Sequence, residues 1–397
     1  MEKYCLHKKY LVFCFLICFI FIFSCQEKLP TVIVENINKL PETVDFNFHV
    51  KPILSDKCFA CHGPDSKKRK ANLRLDIDKR AISKTNEKTL TLKDIKSSLI
   101  DRLTSDDPAM KMPPPDFHLS LDSKEIATII KWIGQGAEYH PHWSFSTPVV
   151  KQLTSEDKSQ WSGNGIDYFI KKKLEKIGVN PAIKASPQTL IRRLSFSLKG
   201  LPPSLIEVDK FINSPSSGAY KSLIDKYLNS PRYGELMANI WMDVARYADS
   251  DGYLDDKHRD FSPWRDWVIK AFNDNMTYDK FVTHQLAGDL IKDADQESIK
   301  ATAFNRLHKK NAEAGIIFEE YRSEYVADRT ITFGSAFLGM TLECARCHDH
   351  KYDPISQKNF YELASFFNNT FEIGSAVYGP GQSPGPSLLL TSKKEQE

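Results

Sequence analysis

The sequence predicts a mainly α-helical protein with a smaller N-terminal domain and a larger helical domain after it. Apolar residues recur at helical spacing, as in the set Ile126, Ile129, Ile130 and Ile133. Serine and proline pairs that start helices also recur, whereas the alternation typical of strands is scarce. With 397 residues the chain is long enough for two or three domains, each with its own core.

The first 25 residues differ in character from the rest. Lys8-Lys9 precedes an apolar run over 10–23, and Ser24-Cys25 follows it. The run is shorter than a membrane span and fits the apolar region of a secretory signal. Its end resembles a bacterial lipobox, so we expect a signal over 1–25 whose Cys25 is lipidated and retained. An uncleaved anchor helix is the alternative. Both place the chain outside the cytoplasm, as a periplasmic or cell-surface protein attached to a membrane.

Changes of composition predict the remaining boundaries. The predicted segments are a tether over 26–43, a first domain over 44–140, a linker over 141–163, a second domain over 164–370 and a disordered tail over 371–397. The first domain closes with a helix over 123–133, which Gly134 and Gly136 end.

Five helices of the second domain have recognisable signals. The first is an apolar stripe of Ile166, Phe169, Ile170 and Leu174. The other four are the helix starts Ser186-Pro187, Ser204–Glu207, Ser230-Pro231 and Ser356. We expect the helix from Pro231 to reach Tyr247.

The cysteines carry the strongest chemical signal. Of eight, three lie in the predicted signal, Cys25 would carry lipid, and the other four fall in two Cys-x-x-Cys-His motifs, Cys58–His62 and Cys344–His348. Haem c needs two thiols, one for each vinyl group, and a histidine directly after them as an iron ligand. The sequence therefore predicts two covalent haems, held by Cys58, Cys61 and His62 and by Cys344, Cys347 and His348. Disulfide or redox cysteine pairs and a zinc site are the alternatives.

A sixth ligand is predicted for the first iron only. Met112 precedes Pro113, which favours an extended loop that can present the thioether to the iron. Met110 is a weaker candidate. For the second iron, the candidates Met340, His284, His308 and His258 stay open, as does an open site. Arg346 could pair with a haem propionate, and His350 could contact a propionate or line a second site with Asp349 and Asp353.

The charge balance argues against nucleic acid as a partner. The sequence has 54 basic and 51 acidic residues, giving a formal net charge of +3. The short basic run over 67–70 is predicted to be a solvated loop beside the first motif.

The predicted first domain contains several stretches that resemble a known family. The stretches that carry the likeness are His49–Ile53, Cys58–Gly63, Lys70–Asp76, Met112–Pro114 and Trp132–Ala137. They resemble the planctomycete-type cytochrome c domain. The resemblance implies a class-I-like cytochrome c fold for the first domain.

The second domain resembles the family called domain of unknown function 1549. The matching stretches include Leu190–Leu194, Gly200–Pro203, Ser230–Glu235, Ala245–Asp249, Gln285–Asp289 and the Cys344–Gln357 run. The resemblance implies a periplasmic or surface haem protein, with proteins of polysaccharide degradation as possible partners. Relatives continue into a further module, so we expect a shortened or split version here.

Three functions follow from the sequence as expectations. The favoured one is electron transfer by a membrane-anchored dihaem cytochrome to a redox partner of unspecified identity. A haem-dependent or haem-coupled enzyme acting on extracellular polymers is the second. A surface binding protein without haem, whose cysteine pairs form disulfides, is the third.

Overall fold

The structure is a computed structural model that describes residues 29–71, 73–77, 92–141, 143–149, 164–213, 216, 218–374, 388 and 390. The predicted signal with Cys25, most of the linker and most of the tail lie outside these residues. The chain divides into two compact units, the first ending at Val149 and including Lys351–Pro354, the second containing the remainder. Within the described ranges there is no strand, only an isolated bridge between Ser250 and His258. The mainly α prediction is confirmed.

Five helices build the described part of the first unit. They are α1 (Thr31–Lys39), α2 (Lys51–Lys57), α3 (Phe59–His62), α4 (Leu92–Thr104) and α5 (Ser123–Gly134). A π-helical turn, Phe46–Val50, leads into α2, and a 3₁₀ turn, Trp143–Phe145, follows α5.

Helix α5 begins and ends where the sequence predicts. The Asp122 carboxylate accepts from the amides of Lys124 and Glu125, and the Glu125 carboxylate accepts from the Asp122 amide at 2.9 Å. This reciprocal capping satisfies backbone donors that the first helical turn leaves without partners. Its apolar face packs into a core whose buried members are Val44, Phe46, Val50, Leu54, Phe59, Leu75, Leu103, Ile129, Trp132, Ile133 and Ala137.

Helix α1 differs from the predicted tether over 26–43. Ile33 is buried against Ala127 and Ile130 of α5. The Asn36 amide donates to the Ser123 hydroxyl at 3.0 Å. The prediction of irregular chain is wrong for Thr31–Lys39, because its apolar residues, spaced one helical turn apart, find a partner surface on α5.

Ten helices build the described part of the second unit. They are α6 (Gly165–Lys176), α7 (Pro187–Lys199), α8 (Leu205–Ile212), α9 (Ala219–Leu228), α10 (Pro231–Val244), α11 (Ser262–Asn273), α12 (Tyr278–Ala287), α13 (Gln296–Ala301), α14 (Phe318–Phe333) and α15 (Gln357–Asn368). The turns between them include a π turn, Gly334–Leu338, and two 3₁₀ turns, Thr302–Arg306 and Glu343–Arg346.

All four predicted serine caps are present. The side chains of Ser186, Ser204, Ser230 and Ser356 each accept from a backbone amide of the first turn. Helix α10 ends at Val244, three residues before Tyr247.

Helix α6 exists where the apolar stripe predicts it, but the stripe is not buried. Ile166, Phe169 and Ile170 are 76%, 56% and 50% exposed. Tyr168, on the opposite face, is the buried side chain of this helix.

One small core lies beneath the second motif. Its buried members are Val326 and Ala327 of α14, Phe360 and Ala364 of α15, and Leu342, Ala345 and Ile355 between these helices. Among the helices described, none is long and apolar enough to cross a bilayer.

Candidate haem attachment sites

The first motif begins at a break between two helices. Helix α2 ends at Lys57, Cys58 departs from helical geometry with φ −123° and ψ −36°, and α3 starts at Phe59. The amides of Cys61 and His62 both donate to the Cys58 carbonyl, at 3.1 and 2.8 Å. One tight turn thus holds the two cysteines and the histidine together, with Phe59 buried in the core below them.

The chain leaving the motif is also fixed. A Cβ on Gly63 would lie 2.4 Å from the Phe59 carbonyl oxygen, so any larger residue would force the turn apart. Arg69 donates to the carbonyls of Gly63 and Pro64 at 3.2 and 2.8 Å. The Lys70 amide donates to the Cys61 carbonyl at 2.8 Å. Arg69 is therefore a positioning residue, although its basic run suggested only a solvated loop.

The surroundings of Cys58 are apolar. Burial raises the pKa of its thiol to about 12, and the neighbouring Cys61 and Glu125 act in the same direction. The cysteine of a redox Cys-x-x-Cys pair instead has a lowered pKa and an exposed thiolate. The environment of Cys58 does not favour that alternative.

Met112 belongs to the same unit as the first motif. Its amide donates to the Arg102 carbonyl at the end of α4, at 2.9 Å, and its bond to Pro113 is cis. Met112 is half-buried, whereas Met110 is 43% exposed. A ligand to an enclosed iron must face the interior, so these exposures favour Met112 over Met110.

The second motif has the same local turn. The amides of Cys347 and His348 both point to the Cys344 carbonyl, at 3.3 and 3.4 Å. Ala345, which directly follows the first cysteine as Phe59 does, is fully buried. Cys344, Cys347 and His348, which carry the two thiols and the imidazole of this motif, are exposed.

The His348 ring is oriented for metal ligation. Its Nδ1 lies 2.8 Å from the Asp349 carbonyl oxygen, which can only accept, so Nδ1 carries the proton. The neutral ring then has its lone pair on Nε2, the atom left to bind a metal. Asp349 is held in turn, because its carboxylate accepts from the Gln357 amide at 2.9 Å.

Arg346 is engaged by protein groups. Its guanidinium forms a two-pronged ion pair with Glu324 of α14, one contact measuring 2.8 Å. Its carbonyl accepts from the Tyr361 hydroxyl and the Gln357 side-chain amide, at 3.0 and 3.1 Å. The predicted propionate contact of Arg346 would have to replace the pair with Glu324.

The four residues predicted as possible further ligands of the second iron lie in different surroundings. His308 is buried among charged groups, His258 is exposed in a loop, and His284 stacks on Trp267 with ring centroids 6.2 Å apart. Met340 packs against the small core beneath the motif.

His350 was a further candidate near the second motif. It is 4% exposed, and its Nε2 lies 3.4 Å from the Thr341 hydroxyl. The predicted roles of His350, at a propionate or at a second site with Asp349 and Asp353, stay predictions.

Comparisons with known proteins place these motifs in families. A family model described as "Planctomycete cytochrome C" matches residues 58–116. A second, described as "Protein of unknown function (DUF1549)", matches residues 165–372, more than half of the chain. The chain belongs to the DUF1549 family. The predicted order, a cytochrome c domain followed by a DUF1549 module, is confirmed. No curated protein and no solved structure matches the chain.

The first motif fits the haem c that the cytochrome c domain implies. The donor set is two thiols and one imidazole held in a single turn, and the four described cysteines are all free thiols. Within the described residues, no group of three or more His, Cys, Asp or Glu side chains is arranged to hold a metal ion by itself.

The DUF1549 module also contains a buried charged cluster that the sequence did not reveal. Glu372 lies 2.6 Å from Lys310 Nζ and 3.2 Å from His308 Nε2, and it pairs with Arg329. Burial alone would raise the pKa of Glu372, but His308, Arg329 and Lys310 hold it well below its usual range. The predicted disordered tail over 371–397 is wrong at its start, since Glu372 is only 6% exposed.

Proposed function

We propose that this chain is an exported, lipid-anchored c-type cytochrome that binds haem at both motifs and transfers electrons. The observation that carries the proposal is the backbone turn shared by the two motifs. In each, the second cysteine and the histidine donate to the carbonyl of the first cysteine, and the residue after that cysteine is buried. Two separate helical units therefore support the same arrangement of two thiols and one imidazole.

Each residue has a defined task in this proposal. Cys58 and Cys61, and likewise Cys344 and Cys347, add their S–H groups across the two vinyl groups of a haem and form thioether bonds. His62 and His348 would each bind the iron of one haem through an imidazole nitrogen, and Met112 would supply a second protein ligand to the first iron. When bound, haem supplies one-electron chemistry. Thioether ligation by Met112 favours a higher reduction potential than a second histidine would.

Haem staining after denaturing electrophoresis tests the assignment of both sites. The chain should be produced with a c-type maturation system, as the parent and as the variants Cys58→Ala and Cys344→Ala. We expect each variant to retain roughly half of the parent stain, because two equivalent attachments contribute to it. Loss of all stain in Cys58→Ala, with none lost in Cys344→Ala, would assign the only haem to the first motif.

A Cys25→Ser variant tests the lipid anchor. The parent should partition into detergent, and the variant should be processed differently or released from the membrane, because a thiol is required for lipid attachment. Cys14→Ser, inside the apolar run, is the matched control and should behave as the parent. Unchanged processing and membrane retention in Cys25→Ser would instead support an uncleaved anchor helix.

A haem-coupled enzyme is the second candidate, and the exposure of the second motif favours it. Cys344, Cys347 and His348 are exposed, and His308, one candidate for the opposite face of the iron, is held at Glu372. An accessible iron without a sixth protein ligand binds small molecules, which electron carriers with two fixed ligands do not.

A further inference from the structure

We infer that the exposed face of α6 is a membrane-binding surface that lies against anionic phospholipid. The inference rests on the proposed membrane location of the chain but on neither haem. The exposed face of α6 is defined here by Ile166, Phe169 and Ile170, by Ile177 directly after the helix, and by Lys173 and Lys176.

The apolar part of this face is unburied. Ile166, Phe169 and Ile170 lie within one turn of each other on one side of the helix, and Ile177 is the C-cap residue that follows Lys176. They are 76%, 56%, 50% and 61% exposed. A contiguous apolar surface of this kind, with polar residues around it, marks an interaction site. The same helix buries Tyr168 on its other side.

The charges on the helix select an anionic occupant. Lys173 and Lys176 are exposed beside the apolar face, whereas Lys172 lies toward Tyr168, with its Nζ 5.9 Å from the centroid of that ring. The two acidic residues of the helix are engaged elsewhere: Asp167 accepts from the Asn164 side-chain amide at 3.1 Å, and Glu175 lies 3.7 Å from Lys171 Nζ. The exposed face therefore presents cations and no acidic group.

Isoleucine and phenylalanine flanked by lysines form the pattern of helices that lie in a bilayer interface. The apolar side chains enter the boundary between headgroups and acyl chains, and lysine stems extend so that their ammonium groups reach the phosphates. Each lysine near an anionic surface contributes a favourable electrostatic term that salt weakens. An acidic protein surface would use the lysines but would leave four exposed apolar side chains without a role, so we choose the lipid surface.

Hydrogen–deuterium exchange of the full-length lipidated protein on vesicles tests the inference. The vesicles are phosphatidylcholine alone or an equimolar mixture with phosphatidylglycerol. We expect peptides covering Gly165–Lys176 to exchange severalfold more slowly on the mixed vesicles, with the protection lost at high salt. Peptides covering Ala219–Leu228, a helix of the same unit, are the internal control and should not change.

Matched variants identify the contribution of each part of the face. Ile166→Ser and the double variant Lys173→Glu with Lys176→Glu should abolish the protection. Their controls, Leu290→Ser at a position 81% exposed and Lys280→Glu with Lys292→Glu, should retain it. None of these positions belongs to a cysteine motif.

The outcomes separate this inference from the proposed anchor. If the protein does not float with vesicles at all, the anchoring proposal fails. If it floats but α6 is equally unprotected on both vesicle types, only the inference is overturned. Protection that depends on protein concentration without vesicles would assign the face to a contact between copies and would also overturn it.

Discussion

Phe59 and Ala345 occupy the same place in the two motifs, directly after the first cysteine. Both are buried, and in both motifs the two following hydrogen bonds return to the carbonyl of that cysteine. They differ in size, and the two sites differ accordingly. Phe59 extends into the main core of its unit, where the Cys58 thiol is sheltered, whereas Ala345 rests on a small core and leaves its cysteines exposed.

The Met112→Ala variant tests the predicted sixth ligand. The parent should show the weak near-infrared band of methionine-to-iron ligation. The variant should lose it, bind added cyanide at the first iron and have a lower reduction potential, because the thioether is no longer available to the iron. Met110→Ala is the control and should keep the band. A band that survives in Met112→Ala would mean that another residue holds the first iron.

At the scale of the helices, the structure shows which sequence signals were sufficient to predict where a helix begins and which were not sufficient to predict what it buries. The four serine caps are confirmed, because a cap is made by side chains within one turn of the residues it satisfies. The burial of a stripe depends on distant partners, and here the sequence was less informative. The stripe of α6 faces solvent, and the segment Thr31–Lys39 folds onto α5.

The second motif shows the same division between local and distant information. Its turn could be predicted from the pentapeptide, but the Glu324 partner of Arg346 and the burial of His350 could not, since both depend on how α14 and α15 pack. Nothing in the sequence around Glu372 indicated that it would be buried in a charged cluster. It stands at the edge of a stretch rich in glycine and proline, and only the fold brings Lys310 and Arg329 to it.

A Glu372→Gln variant tests whether the charged cluster stabilises the second unit. Glu372, Lys310 and Arg329 are 6%, 1% and 3% exposed, so the variant leaves buried cations without their anion. We expect the free energy of unfolding to fall by about 3 kcal/mol, measured by urea unfolding followed by circular dichroism.

The control for that variant is Glu319→Gln. Glu319 is exposed and pairs with Arg322 on its own helix, where solvent screens the interaction, so this change should have almost no effect. Equal decreases in the free energy of unfolding for the two variants would contradict a stabilising role of the cluster.

At the scale of the whole molecule, the chain joins a cytochrome c domain to a DUF1549 module that carries a Cys-x-x-Cys-His motif of its own. Each unit has hydrophobic cores of its own, and in each unit one of these cores lies beneath the motif. The proposed export and lipid anchor would keep both motifs in a compartment where covalent haem is assembled and free thiols would oxidise.

The intact mass of the matured protein tests most directly whether both motifs carry covalent haem. We expect a mass that exceeds the processed polypeptide by two haems and that stays unchanged after denaturation and thiol reduction, because thioether bonds survive both. A polypeptide without added haem, whose four cysteines in the motifs form two reducible disulfides, would contradict it.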